Sequence, residues 1–170
     1  MDTVQVWHAL QLDRYTRDLV RGVYARDHLP RQVTYVPSAY VINTDNCERP
    51  GQHWVAVYVD MSSARIQGEY FDSYGLPPLH QDILTWLDRG VDEWTWNPRR
   101  LQSPDTAVCG QYCLYYLTQR ARGHAMNSIV HTLDTSCTTY DNDVLVFDWA
   151  DRQFGIRPPF FVSSFYRAYR

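Results

Sequence analysis

The chain has 170 residues, of which 45% are hydrophobic and 21% charged, with a formal net charge of −3. That composition suits one globular domain spanning residues 1–170 and excludes a disordered chain, and the acidic balance argues against a nucleic-acid footprint. All 16 basic residues are arginine, the 4 cysteines are irregularly spaced, and neither a secretory leader nor a membrane-length apolar run is visible, so an intracellular, reducing setting without membrane attachment is expected.

Residues 3–21 are predicted to form an amphipathic helix, with Val4, Trp7, Tyr15 and Leu19 inward and Asp13, Arg14, Arg17 and Asp18 outward, stopped by Gly22. Residues 23–37, punctuated by Pro30 and Pro37, read as loop. Residues 40–44 are a short buried strand, followed by a turn-rich loop over 45–51 that contains Cys47. Residues 54–60 are apolar on both faces and so predict a central strand. Residues 61–64 connect it to a partner strand over 65–72. An antiparallel hairpin of this kind sets the start of one strand opposite the end of the other, so His53 and Asp72 become neighbours.

Pro77-Pro78 opens a predicted helix to Arg89, with Leu79, Ile83, Leu84 and Leu87 as its stripe and Gly90 as its end. Residues 93–96 read as a strand cut at Pro98. A polar loop from Leu101 then runs into Cys109, where an apolar helix begins and continues to about Arg122 and Gly123. Helices are further expected over 125–133 and over 141–154, the latter with Val144, Leu145 and Phe147 inward. The aromatic, Arg-rich tail 157–170 has no assignment.

The chemistry follows from His53, Asp72, Gln102 and Cys109. A cysteine in the first turn of a helix meets unpaired N–H groups and the positive dipole end, which favour the thiolate. His53 is the candidate base for that thiol, and Asp72 the acceptor for the other ring nitrogen. Gln102 can place its amide beside the Cys109 backbone N–H as a second oxyanion donor. Together they would run acyl transfer through a covalent thioester. Trp54 reads first as a core residue, and with Gly51 it is the candidate substrate contact beside His53. Each residue also has a structural reading: an edge histidine, a turn aspartate, a loop glutamine, a core cysteine. A zinc site on Cys109 and Cys113, with Cys47 and His53 as further ligands, is the rival chemistry, although no CxxC knuckle is present.

At these same residues the chain resembles the adenovirus-type cysteine endopeptidases (adenain), which share a clan with the SUMO- and NEDD8-specific proteases. The segments that carry the resemblance are Tyr40–Thr44, Gly51-Gln52-His53-Trp54, Tyr70–Gly75 and Gln102–Gly110, with a fainter match at Arg21–Tyr24. The resemblance implies an α+β, papain-like cysteine protease core in circularly rearranged order, a small mixed or antiparallel sheet packed with helices. It implies a thiol endopeptidase cutting after small residues, often Gly, with His53 as base, Asp72 as third member, Gln102 as oxyanion residue and Cys109 as nucleophile. In viral members the substrates are capsid and core precursor proteins, which would place the protein in the host nucleus or cytoplasm and in the virion.

Two departures qualify that expectation. The adenovirus enzymes carry Glu where this chain has Asp72, as the SUMO-protease branch does. They are also stimulated by a cysteine-tethered viral peptide and by DNA, whereas this chain has no cysteine between Asp72 and Cys109 and is acidic. The expectation is therefore no required cofactor, no DNA activation, and at most an untethered activating peptide added to a sheet edge. Three other functions stay open: a deubiquitinating or deSUMOylating protease of the same clan, an acyltransferase, and a binding or structural protein in which the four residues coincide by chance.

Overall fold

The computed structural model describes residues 1–33, 35–49, 51–62, 64–135 and 138–156. Cys137 and the aromatic tail 157–170 lie outside the described residues, as do Ser63 of the hairpin connection and Pro50 of the loop before His53. The described elements run α1 (Thr3–Leu12), β1 (Val20–Ala25), a 3-10 turn (Arg26–His28), β2 (Ser38–Asn43), β3 (Trp54–Ser62) and β4 (Arg65–Phe71). They continue through α2 (Gln81–Gly90), β5 (Glu93–Trp96), α3 (Cys109–Ala121), α4 (Met126–Asp134) and α5 (Thr139–Phe154).

The strands form one mixed sheet in sequence order, β1-β2-β3-β4-β5. The two outer pairs are parallel and the two inner pairs antiparallel. Successive side chains of a strand point to opposite faces, and the core divides accordingly. Ala39, Val41, Trp54, Ala56, Tyr58 and Phe71 join α1, α3, α4 and α5 on one face. Tyr40, Ile42, Val55, Val57, Val59 and Tyr70 join Ile83, Trp86 and Leu87 of α2 on the other. Burial on both faces is why β2 and β3 read as continuous apolar runs. This is the α+β architecture expected, with the mixed sheet sandwiched between helices.

Three expectations are corrected. The first helix ends at Leu12, because Asp13 turns extended and its carboxylate accepts from the backbone N–H groups of Tyr15 (2.8 Å) and Thr16 (3.2 Å). Thr16 Oγ1 donates back to the Leu10 carbonyl at 2.6 Å. Such local side-chain bonds compete with helix continuation. Val6, Ala9 and Leu10 are the buried residues of α1, whereas Val4 is 74% exposed, so the inward face is rotated from the expected one. Gly22 lies inside β1, which occupies part of the expected loop 23–37. The second correction concerns α2, which starts at Gln81 after an extended N-cap at His80, leaving Leu79 exposed and Trp86 buried. The third concerns α5, where Leu145 is exposed and Val146, Phe147 and Ala150 face inward.

Candidate active site

The β3–β4 hairpin builds one half of the site. Its register pairs Ala56 with Phe71 through to Ser62 with Arg65. Just before β3, His53 still belongs to the β2 ladder through its carbonyl, which accepts from Thr44 N–H at 2.9 Å. Gly51 precedes it at φ +81°, where a Cβ would lie 1.9 Å from Asn43 Nδ2. A side chain at 51 would therefore displace the approach to His53. Just after β4, Asp72 opens a tight turn closed by Gly75 N–H onto the Asp72 carbonyl at 2.9 Å. A Cβ on Gly75 would meet the Arg99 and Arg100 backbone at 2.6–2.8 Å, so only glycine fits there.

These two ends bring His53 Nε2 to 2.9 Å from Asp72 Oδ1. The same Oδ1 accepts from Tyr74 N–H at 2.8 Å, an Asx turn that fixes the carboxylate's direction. Asn97 clamps the Asp72 backbone: its Oδ1 accepts from Asp72 N–H at 2.9 Å and its Nδ2 donates to the Asp72 carbonyl at 2.7 Å. The Asn97 side chain thus continues, past the end of the ladder, the pairing that β5 makes with β4. Tyr74 stacks on the imidazole, with centroids 4.9 Å apart and planes inclined by 30°.

The other half is the loop 101–108 and the start of α3. Val108 precedes the helix without any side-chain cap, so the first-turn N–H groups receive no capping acceptor there. Cys109, at the first helical position, is 6% exposed and packs in the core cluster that also holds Trp54 and Cys113. Trp54 is 5% exposed, which leaves it little surface to offer a substrate.

Gln102 is fully buried. Its carbonyl accepts from Ser73 Oγ at 2.7 Å, which orients the amide. Its nitrogen donates to the Thr106 carbonyl at 2.8 Å and makes longer contacts of 3.3 Å to Tyr74 Oη and Thr106 Oγ1. One donor is therefore committed to the loop. The second is held by weak partners that a developing oxyanion can replace. Asp143, on α5, ties the loop down by accepting from Thr106 Oγ1 (2.7 Å), Tyr112 Oη (2.9 Å) and Ser103 N–H (3.1 Å). Burial still raises its pKa, although those bonds oppose the rise.

The electrostatics link the halves. Burial alone would keep His53 neutral, but its bond to Asp72 and its contact with Cys109 outweigh burial and push its pKa up to about 9. Nε2 is taken by Asp72, so Nδ1 is the nitrogen left for the thiol. Nδ1 is buried and makes no hydrogen bond of ordinary geometry in this resting state, a looseness common where a catalytic bond tightens on substrate binding. Tyr74 also senses Cys109: burial first, and then a negative charge on that sulfur, raise the phenol's pKa.

The fold thus gathers His53 with Asp72 and couples both to Cys109, with Gln102 joined through Ser73 and Tyr74. Ser73, Tyr74, Asn97 and Asp143 were missed in sequence. The Asp-x-x-Gly turn signal could have marked Tyr74; nothing local marks the others. The zinc alternative fails to assemble: among the described residues the one group of three or more converging donors contains none of Cys109, Cys113 or His53. No described helix is long and apolar enough to cross a membrane.

No protein-family model matches the chain. Over 111 residues it is 31% identical to a protein named cysteine protease from African swine fever virus, covering 59% of this chain and 40% of that protein. It is 30% identical over 111 residues to a protein named SUMO-1 cysteine protease from another isolate of the same virus, with the same coverage. The chain spans less than half the length of these curated relatives. The crystal structure of the African swine fever virus protease superposes with a TM-score of 0.61 at 19% identity, covering 92% of this chain and 67% of that one. The α+β, papain-like cysteine protease fold is therefore common to both.

Proposed function

We propose that this chain is a thiol endopeptidase. The observation that carries the proposal is the 2.9 Å bond from His53 Nε2 to Asp72 Oδ1, which leaves Nδ1 for a cysteine at an uncapped helix start. Similarity to African swine fever virus cysteine proteases supports it independently.

Nδ1 of His53 takes the Cys109 proton, and the imidazolium is held by Asp72 with its charge sandwiched against Tyr74. The thiolate attacks a peptide carbonyl. The Cys109 N–H and the weakly held second N–H of Gln102 receive the developing oxyanion. His53 then protonates the leaving amine, and water attacks the thioester to release the acid and the thiol. Cleavage after Gly or another small residue, and viral capsid or core precursors as substrates, follow from the motif resemblance to the adenovirus-type enzymes. A second reading, processing of ubiquitin-like proteins, is favoured by the name of one relative, a SUMO-1 cysteine protease. Neither chemistry calls for a metal or organic cofactor, and an untethered peptide strand added to a sheet edge is the activator class that the resemblance suggests.

The test is the alkylation rate of Cys109 against pH, read site by site by mass spectrometry, with His53→Ala for comparison and Cys47 and Cys113 as internal controls. Labelling that persists well below the free-thiol pKa of about 8.5 and collapses in His53→Ala is the expected result. A Cys109 no faster than buried Cys113, with or without added candidate peptides, returns the chain to the non-enzyme reading. Glycine-containing peptides and ubiquitin-like fusions then separate the two substrate classes.

A further inference from the structure

A second group of reactive side chains gathers at the loop that delivers His53. Asp27 and His28 lie on the 3-10 turn after β1, and Cys47 lies in the loop 44–53 between β2 and β3. All three are exposed, and their ligand atoms lie within 4.8 Å of one another. The backbone holds this arrangement. Cys47 N–H donates to Asp27 Oδ1 at 2.9 Å, and Arg26 N–H reaches the Asp45 carbonyl at 3.4 Å. The same loop carries two more oxygens, Asp45 Oδ2 and Asn46 Oδ1, each buried without a hydrogen-bond partner. A loop that leaves polar atoms unsatisfied and also supplies one of three converging donors has the makings of a ligand site.

The donor types select the ligand. Calcium and magnesium take oxygen donors almost exclusively. One sulfur, one imidazole nitrogen and one carboxylate oxygen suit a zinc-class cation, with a position left open for water. Zinc bonds of about 2.0–2.3 Å place donors about 3.3–3.8 Å apart on a tetrahedron. Exposed side chains can close that gap by rotation alone. We propose that Asp27, His28 and Cys47 bind a zinc-class divalent cation that pins the tip of loop 44–53 to the turn after β1. Binding takes Cys47 as thiolate and releases its proton to solvent. The base of the loop is already closed by Thr44 N–H on the His53 carbonyl and by the close approach of Gly51 to Asn43. Pinning the tip therefore immobilises the whole segment from which Gly51 and His53 emerge.

The test uses the full chain carrying Cys109→Ala, kept reduced, so that the proposed nucleophile cannot bind metal and the outcome does not depend on proteolysis. Cobalt(II) is titrated while the thiolate charge-transfer absorption is followed, and zinc is then added as competitor. One equivalent of cobalt giving that absorption, its loss on adding Cys47→Ser, and at least about tenfold weaker binding with His28→Ala support the site. So does slowed hydrogen exchange of the amides of 44–53 on adding zinc. No absorption, absorption that survives Cys47→Ser, or binding that leaves exchange in the loop unchanged would overturn the proposal.

Discussion

The two halves of the proposed active site are held by different kinds of contact. His53 and Asp72 lie 19 residues apart and meet because a hairpin closes on itself. The loop bearing Gln102 and Cys109 instead hangs on Ser73, 29 residues away, on Asp143, 37 residues from Thr106, and on Asn142, whose amide donates to the Leu101 carbonyl 41 residues away at 3.0 Å. Closing a short hairpin costs little chain entropy. The second half stands only if several buried polar groups are satisfied together, and removing one partner leaves the others unpaired. The acid–base half is consequently the robust one, and the nucleophile half is the one that distant substitutions can loosen.

Four substitutions would break or sharpen that contrast. Cys109→Ala removes the attacking group and should lower peptide cleavage by on the order of 10⁴-fold or more, with the fold intact by circular dichroism. Residual cleavage near the wild-type rate would place the nucleophile elsewhere. Gln102→Ala should cost roughly 10²–10³ in kcat, as loss of one oxyanion donor does. An equal rise in KM with kcat unchanged would instead make Gln102 a substrate-binding residue.

Asp72→Asn should be milder than either in kcat, because the Asn oxygen can still accept from His53 and from Tyr74 N–H, as in Cys-His-Asn enzymes. Its diagnostic is pH. With Asp72 present, His53 stays protonated up to about 9, so kcat/KM should fall only above that. Without the carboxylate charge the alkaline limb should move down towards the ordinary imidazole range. Stability follows the same sign. A folded pKa raised above the unfolded value gives stabilisation that is complete below about 6.5 and is lost as pH rises through about 9. Thermal melts of wild type and Asp72→Asn across that window should converge at the alkaline end.

Asp143→Ala should give the smallest direct effect on chemistry but a loss of about 1–3 kcal/mol in stability, since Thr106, Tyr112 and Ser103 each lose an acceptor. Denaturant melts measure it. If activity falls further than the unfolded fraction explains, while His53 keeps its titration, the nucleophile half has loosened on its own. A parallel fall in both would erase the distinction between the halves.

Much of this was legible beforehand for a physical reason. Val55, Val57 and Val59 alternate with Trp54, Ala56 and Tyr58, and a strand apolar on both faces has one place in a sheet. The hairpin then decides its own pairing. Cys109 stands where a polar, Pro-containing loop turns into an apolar run, which is a helix start in any fold. The first helix failed the same kind of reading, because spacing over 3–21 cannot reveal that Asp13 will fold its carboxylate back on Tyr15 and Thr16. Nor can it reveal that Asp13 is wanted elsewhere: Arg122, 109 residues on, reaches it at 3.2 Å.

Residue type and order by themselves determined the hairpin, the two-faced core strands, the cysteine at a helix start, and hence a base and an acid brought side by side. These depend on contacts across a few turns of chain. Only the tertiary structure decided which imidazole nitrogen Asp72 occupies, that Tyr74 covers the ring, that Asn97 stands in for a missing ladder pair, and that α5 anchors the oxyanion loop through Asp143. Each of these joins residues whose own neighbourhoods do not differ from ordinary turns and helix faces. Their roles come into being when packing removes the water and leaves their polar atoms one another as partners.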